Sequence, residues 1–247
     1  MKTIGLIGGM SWESTAEYYR ILNERTRERL GGLHSARCVL YSVDFAEMER
    51  LQVQGRWEEA GEALADAARS LEAAGAELLL ICTNTMHKVA GAVEAAVSVP
   101  LLHLADTTAA AVRGAGLRRV GLLGTAFTME EDFYRGRLAA GGLDVRVPDP
   151  EGRALVHRVI YEELCLGVVR EESRAAYRRV MEDLVAGGAE GIVLGCTEIE
   201  LLIGPADSPV PLFPTARLHA EAAVDAALGG VLPIGPEPGL VGHPLAP

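Results

Sequence analysis

The chain has 247 residues, 49% hydrophobic and 23% charged, with a formal net charge of −11 at pH 7. That is the make-up of a globular protein able to bury one large core or two smaller ones. The acidic balance argues against a broad nucleic-acid-binding face, which needs clustered Lys and Arg, but not against a small anionic substrate held by helix N-termini and backbone N–H groups.

In chain order, "TIGLIGG" reads as a first β-strand. Its apolar run is too short for a secretory signal or a membrane span, so a cytoplasmic protein with no membrane partner is expected. A helix is predicted over 14–30, capped by Ser14 or Thr15 and stopped at Gly31-Gly32. Strands are predicted at "RCVLYSV", "ELLLICT" and "VPLLHL", with a helix over 56–74 between the first two. Asp106 is placed to cap a helix over 106–115. Then come the strand "RRVGLLGT", a helix over 128–140, the strand "LDVRVP", and helices over 151–166 and 172–187. "GIVLGC" and a weaker "PLFPT" complete the strands. The Pro- and Gly-rich segment after Ala227 reads as a loosely held tail without chemistry of its own.

Strands alternating with helices predict an α/β fold with parallel sheets. The chain also echoes itself. "IGLIGG", from Ile4, returns as "VGLLGT" from Val120, and "AAGAELLLICTN" returns as "AGGAEGIVLGCTE" with its cysteine 114 residues on. Two matches in the same order at nearly equal offsets favour duplication. We therefore expect two similar parallel-sheet α/β lobes related by a pseudo-twofold axis, with the active site in the cleft between them. Residues 1–98 plus 215–230 would form the first lobe, 99–214 the second and 231–247 the tail. Ligand chemistry in parallel sheets gathers at the carboxyl ends of strands, where Cys82 and Cys196 both fall. Lobes packed face to face would set these thiols against each other across the cleft.

The four cysteines show no C-x-x-C pair and no metal-like spacing with histidine. Cys38 reads as a core strand residue, and Cys165 as structural or part of a pocket wall. Gly8 and Gly9 allow close backbone approach, but the G-x-G-x-x-G spacing of a dinucleotide loop is absent. Three chemistries are open to Cys82 and Cys196. A disulfide would leave the polar "TNT" after Cys82 without purpose. A nucleophile calls for a histidine partner, and His87, five residues on, is the candidate, with a structural role as the alternative. A symmetric acid/base pair explains most: one thiolate removes a proton from carbon and the other thiol returns one to the opposite face. Free thiols titrate near ~8.5, close enough to neutrality for both tasks. The hydroxyls and amide beside each cysteine would then hold a substrate carboxylate at a strand end. Asp44 and Glu198 read as pocket acids or as solvated or capping groups.

"IGLIGGMSWEST", "CTNTMHK", "GLLGT" and "GCTE" together resemble the cofactor-independent aspartate/glutamate racemase family over about residues 1–225. The resemblance implies an isomerase that interconverts D- and L-amino acids, aspartate or glutamate foremost, without pyridoxal phosphate or any other cofactor, and usually a homodimer. It implies Cys82 and Cys196 as the acid/base thiols and Thr83, Asn84, Thr85, Thr125 and Thr197 as binders of the α-carboxylate and α-ammonium. Gln52 and Met10 are implied as further substrate contacts. Aspartate-selective members carry a tyrosine followed four residues later by a lysine. Here Tyr161 is followed by Cys165, leaving Arg153, Arg158 or Gln52 to meet a distal carboxylate, or a wider range of substrates. Other readings of the same fold are a hydantoin racemase, a maleate isomerase or an arylmalonate decarboxylase. A reading of another class is a two-lobed small-molecule binder without catalysis.

Overall fold

The computed structural model describes residues 1–231. The predicted tail therefore lies outside the described residues except for Val231.

Two parallel sheets form the frame. The first orders β2 (Cys38–Ser42), β1 (Ile4–Gly8) and β3 (Leu78–Ile81) with β1 in the middle. The second orders β5 (Asp144–Arg146), β4 (Arg119–Gly124), β6 (Gly191–Gly195) and β7 (Leu212–Pro214). In each sheet the first strand of its half is central, flanked by the second and third strands of that half. The repeated order matches the duplication expected from the sequence. Strands β1, β3 and β6 are buried along their whole length, as central parallel strands covered by helices on both faces must be.

The segment expected as a strand at "VPLLHL" is reduced to one bridge, Leu101 with Leu79. Pro100 has no N–H to give and only accepts, from Leu79 N at 2.9 Å. After Leu102 N donates to Leu79 O at 3.0 Å, the chain leaves for α5 (Leu104–Gly114).

On one face of the first sheet lie α1 (Trp12–Leu30) and α11 (Thr215–Ala227), where Tyr18, Leu22, Ala216, Ala220 and Val224 pack on Ile4 and Leu6. The other face carries α3 (Trp57–Ala73), with α2 (Phe45–Val53) and α4 (Ala90–Ala96) beside it, around Ile7, Leu64, Ala68, Leu79 and Met86. The second core joins Leu122, Leu123 and Val193 to α5, α7 (Asp132–Ala140), α8 (Pro150–Glu162) and α9 (Glu171–Ala186), with Tyr134 and Tyr177 at its centre.

Several local expectations change. The cap of α1 is Ser11, whose hydroxyl accepts from Ser14 N at 3.3 Å, so the helix begins earlier than predicted. Ser14 and Thr15 instead turn inward within its first turn. Thr15 Oγ1 takes the N–H of Gly9 at 2.8 Å and so holds the turn after β1, where Gly9 sits at φ +92. Gly31 does end α1. Asp106 caps nothing, because α5 starts two residues before it with His103 as its cap. Its carboxylate receives two bonds from Arg137, both 2.8 Å. The helix predicted over 128–140 breaks at Glu131, whose extended backbone separates α6 (Ala126–Glu130) from α7. The one predicted over 151–166 ends at Glu162, and a 3-10 turn at Leu164–Leu166 follows. The sequence reading placed no element at α2. That helix is capped by Asp44, whose Oδ1 accepts from Ala46 N at 3.0 Å, which settles that residue as a cap.

Candidate active site

Cys82 is the first residue after β3 and Cys196 the first after β6. Both stand at carboxyl strand ends, where the loop after β1 (Gly9 to Ser11) also arrives. Between these ends lies a cavity of about 480 Å³, counting the solvent-open space at its mouth. One wall consists of Met10, Ser11, Ser14, Phe45 and Gln52 with Thr83, Asn84 and Thr85. The opposite wall consists of Thr125, Ile160, Tyr161 and Cys165 with Cys196, Thr197 and Glu198.

Polar contacts cross the cleft around this space. Ser11 donates to Glu198 Oε1 at 2.7 Å, and the Ser14 and Thr197 hydroxyls meet at 2.7 Å. Thr85 and Thr125 meet at 3.2 Å. Asn84 Nδ2 donates to Thr215 Oγ1 at 3.1 Å, and Thr215 in turn donates to the Leu194 carbonyl at 2.9 Å. The threonines and asparagine singled out in the sequence are thus the groups that meet where the two halves touch.

The two cysteines are not equivalent. Cys196 lines the cavity, and its thiol donates to Glu198 Oε2 at 2.9 Å. Cys82 is fully buried and belongs to the core of Ile4, Leu6 and Tyr18. Strand alternation explains this: Leu78, Leu80 and Cys82 share the face beneath α1 and α11, while Leu79 and Ile81 share the other. The Cys82 carbonyl accepts from Ser14 Oγ at 3.1 Å. Ser14 therefore stands between the two Cys-Thr motifs, touching the backbone of one and Thr197 of the other. Met10, Gln52, Thr83, Asn84, Thr85, Thr125, Cys196 and Thr197 come together on one cavity, and Cys82 lies one layer behind its wall.

Both thiols are shifted up. Burial is the larger cause for each; for Cys196 the negative charge of Glu198 comes next. Cys165, also on the wall, is pushed up to about 12 by burial and then by Glu198 and Glu13.

His87 does not face the cavity. Its Nδ1–H donates to the Thr83 carbonyl at 2.8 Å, and Nε2 accepts from Leu104 N at 3.2 Å. Both nitrogens are used by a neutral ring, and burial pulls its pKa down to about 4. It packs edge-on against His103 and His219, with ring centroids 4.5 and 5.8 Å away. The structural alternative therefore describes His87. Arg153 bonds Glu130 and the Pro148 carbonyl, both at 2.8 Å, and Arg158 lies 4.0 Å from Glu163. Neither arginine lines the cavity; of the three residues considered for a distal carboxylate, only Gln52 does, and its amide donates to Met86 Sδ at 3.1 Å.

Sequence reasoning missed Ser11, Ser14, Phe45 and Ile160 and left Glu198 undecided. Ser14 was read as a cap candidate, but only the fold shows that Ser11 and Ser14 reach the other half. The elements after the strand ends are short, with a 3-10 turn at Thr85–Val89 and α10 (Ile199–Leu202), so hydroxyls and local N–H groups rather than a long helix dipole face the cavity. Among the described residues, no group of three or more His, Cys, Asp or Glu is arranged to hold a metal ion. No described helix is long and apolar enough to cross a membrane.

The family model for Asp/Glu/hydantoin racemases matches residues 7–223, which takes in both strand-end cysteines and every lining residue. The chain belongs to that family. It is a racemase-family isomerase built on the two-lobed fold of these enzymes. A crystal structure from Yersinia pestis, provisionally named an Asp/Glu racemase, is 56% identical, with a TM-score of 0.88 over 92% of this chain and all of that one. PH1733, an aspartate racemase homologue from Pyrococcus horikoshii OT3, is 37% identical with a TM-score of 0.82 over 92% of this chain and 100% of that one. The broad specificity amino-acid racemase RacX of Bacillus subtilis (strain 168) is 23% identical, aligned over 91% of this chain and 98% of its own length.

Proposed function

We propose that the protein interconverts D- and L-amino acids without a cofactor, by two-thiol proton transfer at the α-carbon. The observation that carries this reading is the placing of two Cys-Thr motifs at the carboxyl ends of equivalent strands, joined through Ser14 beside one cavity. In the reaction one cysteine, as thiolate, takes the α-proton, and the electron pair left behind delocalises into the α-carboxylate. The other cysteine, as thiol, gives its proton to the opposite face of the carbon. The product has the inverted centre, and the two sulfurs have exchanged protonation states. Thr83, Asn84, Thr85, Thr125 and Thr197 supply hydrogen bonds where the carboxylate gains charge. Glu198, beside Cys196, receives the substrate ammonium and takes up the thiol proton when Cys196 is the base. Because Cys82 lies behind the wall, this scheme requires a rearrangement on substrate binding that brings its sulfur to the α-carbon. The reading includes a reducing cytoplasm, in keeping with four unpaired cysteines, and a homodimer.

A second reading rests on the same asymmetry. Of the two strand-end cysteines Cys196 alone lines the cavity, which suits one-sided protonation of a carbanion formed by loss of another group, as in a decarboxylase. An arylmalonate decarboxylase variant shares the fold with a TM-score of 0.54 at 16% identity.

The test is α-deuterium uptake in D₂O by protein freed of pyridoxal phosphate, starting from each enantiomer. Two-thiol racemisation puts deuterium into the product of both. Cys82→Ser and Cys196→Ser should each lower interconversion by about 10³-fold or more, as loss of a required acid or base does. A Cys82→Ser protein that racemises at the parental rate removes the two-thiol scheme, whereas a parent enzyme that decarboxylates a malonate-type acid and racemises no amino acid supports the one-sided reading.

A further inference from the structure

We propose that the cavity selects amino acids with uncharged, largely apolar side chains over aspartate and glutamate; this rests on the racemase reading above and names its substrate class. The argument starts from the charges on the cavity wall. Among the lining residues the one acidic side chain is Glu198, and no lining residue is Lys or Arg. Residues 232–247 contain neither type, so no part of the chain beyond the described residues supplies one.

The nearby cations are already engaged elsewhere. Lys88 pairs with Glu131 at 2.5 Å and lies 3.9 Å over the Trp57 ring. Arg153 is held by Glu130, and Arg170 is 3.6 Å from Glu163. Burial is the main cause that pushes Tyr161 and Cys165 up, and the carboxylates that add to it are Glu49 and Glu198 for Tyr161 and Glu198 and Glu13 for Cys165.

A zwitterionic amino acid is balanced in this setting. Its ammonium offsets Glu198, and its carboxylate can be met by threonine hydroxyls and the Asn84 amide. A second carboxylate on the side chain finds no cation on the wall, and the Gln52 amide that could meet it is already given to Met86 Sδ at 3.1 Å. It would point at Phe45, Ile160, Tyr161 and Cys165 and lose its hydration there, with acids as the nearest charges. A cationic side chain fares poorly as well, because Glu13 and Glu49 do not line the cavity and Glu198 is taken by the substrate ammonium. A methionine- or leucine-like side chain needs no charged partner and packs on Phe45, Ile160, Tyr161 and Cys165 without loss.

The experiment measures kcat/KM for α-deuterium exchange with alanine, methionine, leucine, aspartate, glutamate and lysine, as both enantiomers, using the full-length enzyme. The expected result is methionine or leucine ahead of both acidic amino acids by about tenfold or more. Phe45→Arg, which places a cation on the wall, should then raise the aspartate-to-methionine ratio by about tenfold. If that variant does not fold, Cys165→Lys carries the same test from the other wall. Aspartate, glutamate or lysine exchanging fastest in the parent enzyme overturns the proposal while leaving the racemase reading intact. An unchanged ratio in a folded cationic variant overturns it too. No exchange with any member overturns both.

Discussion

Replacing Glu198 by Gln tests the electrostatics of the site at one atom. In the parent, the Glu198 carboxylate lies 2.9 Å from Cys196 Sγ and its charge holds the thiol up. Two unit charges at that separation repel by about 1.4 kcal/mol at the dielectric of water and about 6 kcal/mol at an effective dielectric of 20. At 1.36 kcal/mol per unit, removing the charge should lower the Cys196 pKa by about 1 to 4 units. The carboxamide also brings an N–H that can donate to the thiolate, which acts in the same direction. The assay is iodoacetamide alkylation across pH 6–11, with modification of the Cys196 peptide followed by mass spectrometry so that Cys38, Cys82 and Cys165 do not interfere. The midpoint should fall by at least about one unit in Glu198→Gln and stay put in Glu200→Gln, whose carboxyl bonds neither sulfur. A midpoint that stays or rises in Glu198→Gln refutes the assignment of Glu198 as the group that holds the proton on Cys196.

The buried histidines make the fold acid-sensitive. Burial holds His87 at about 4 and His219 at about 3, against an ordinary 6.5, so each stabilises the fold fully above 6.5 and loses that contribution as pH falls through the folded value. Urea midpoints should hold steady from pH 8 to 7 and drop steeply toward pH 4, by on the order of 3 kcal/mol per histidine; a flat profile contradicts the neutral cluster. Arg137→Met leaves the Asp106 carboxylate, only 7% exposed, without its partner and should cost about 3 kcal/mol in chemical denaturation. A double change that also makes Asp106→Leu should recover most of that loss, because the cost comes from the orphaned charge.

The legible part of the site was the part written in residue type and spacing. "CTNT" and "CTE" at the ends of apolar runs named the cysteines and hydroxyls, and the repeat of whole segments implied that they would meet. What stayed hidden were contacts between segments far apart in the chain. Ser14 and Thr197 are 183 residues apart and Ser11 and Glu198 are 187 apart, and no periodicity records such a meeting. The capping roles of Ser14, Thr15 and Asp106 were misread for a related reason. Each had a stronger partner in another element, and local propensity cannot register that competition.

By itself, then, the sequence determined the alternation of strand and helix, the duplication, and the placing of a cysteine at the end of one strand in each half. These follow from local period and composition, because an apolar run of four to six residues between helices has few ways to bury itself other than in a parallel sheet. Only the tertiary structure decided that Cys196 opens on the cavity while Cys82 faces the core beneath α1. It also decided that His87 is a satisfied strut and that, among the described residues, no arginine lines the cavity. Those outcomes depend on which face of a strand meets which helix, and on which charges find partners first, both fixed only when the elements pack.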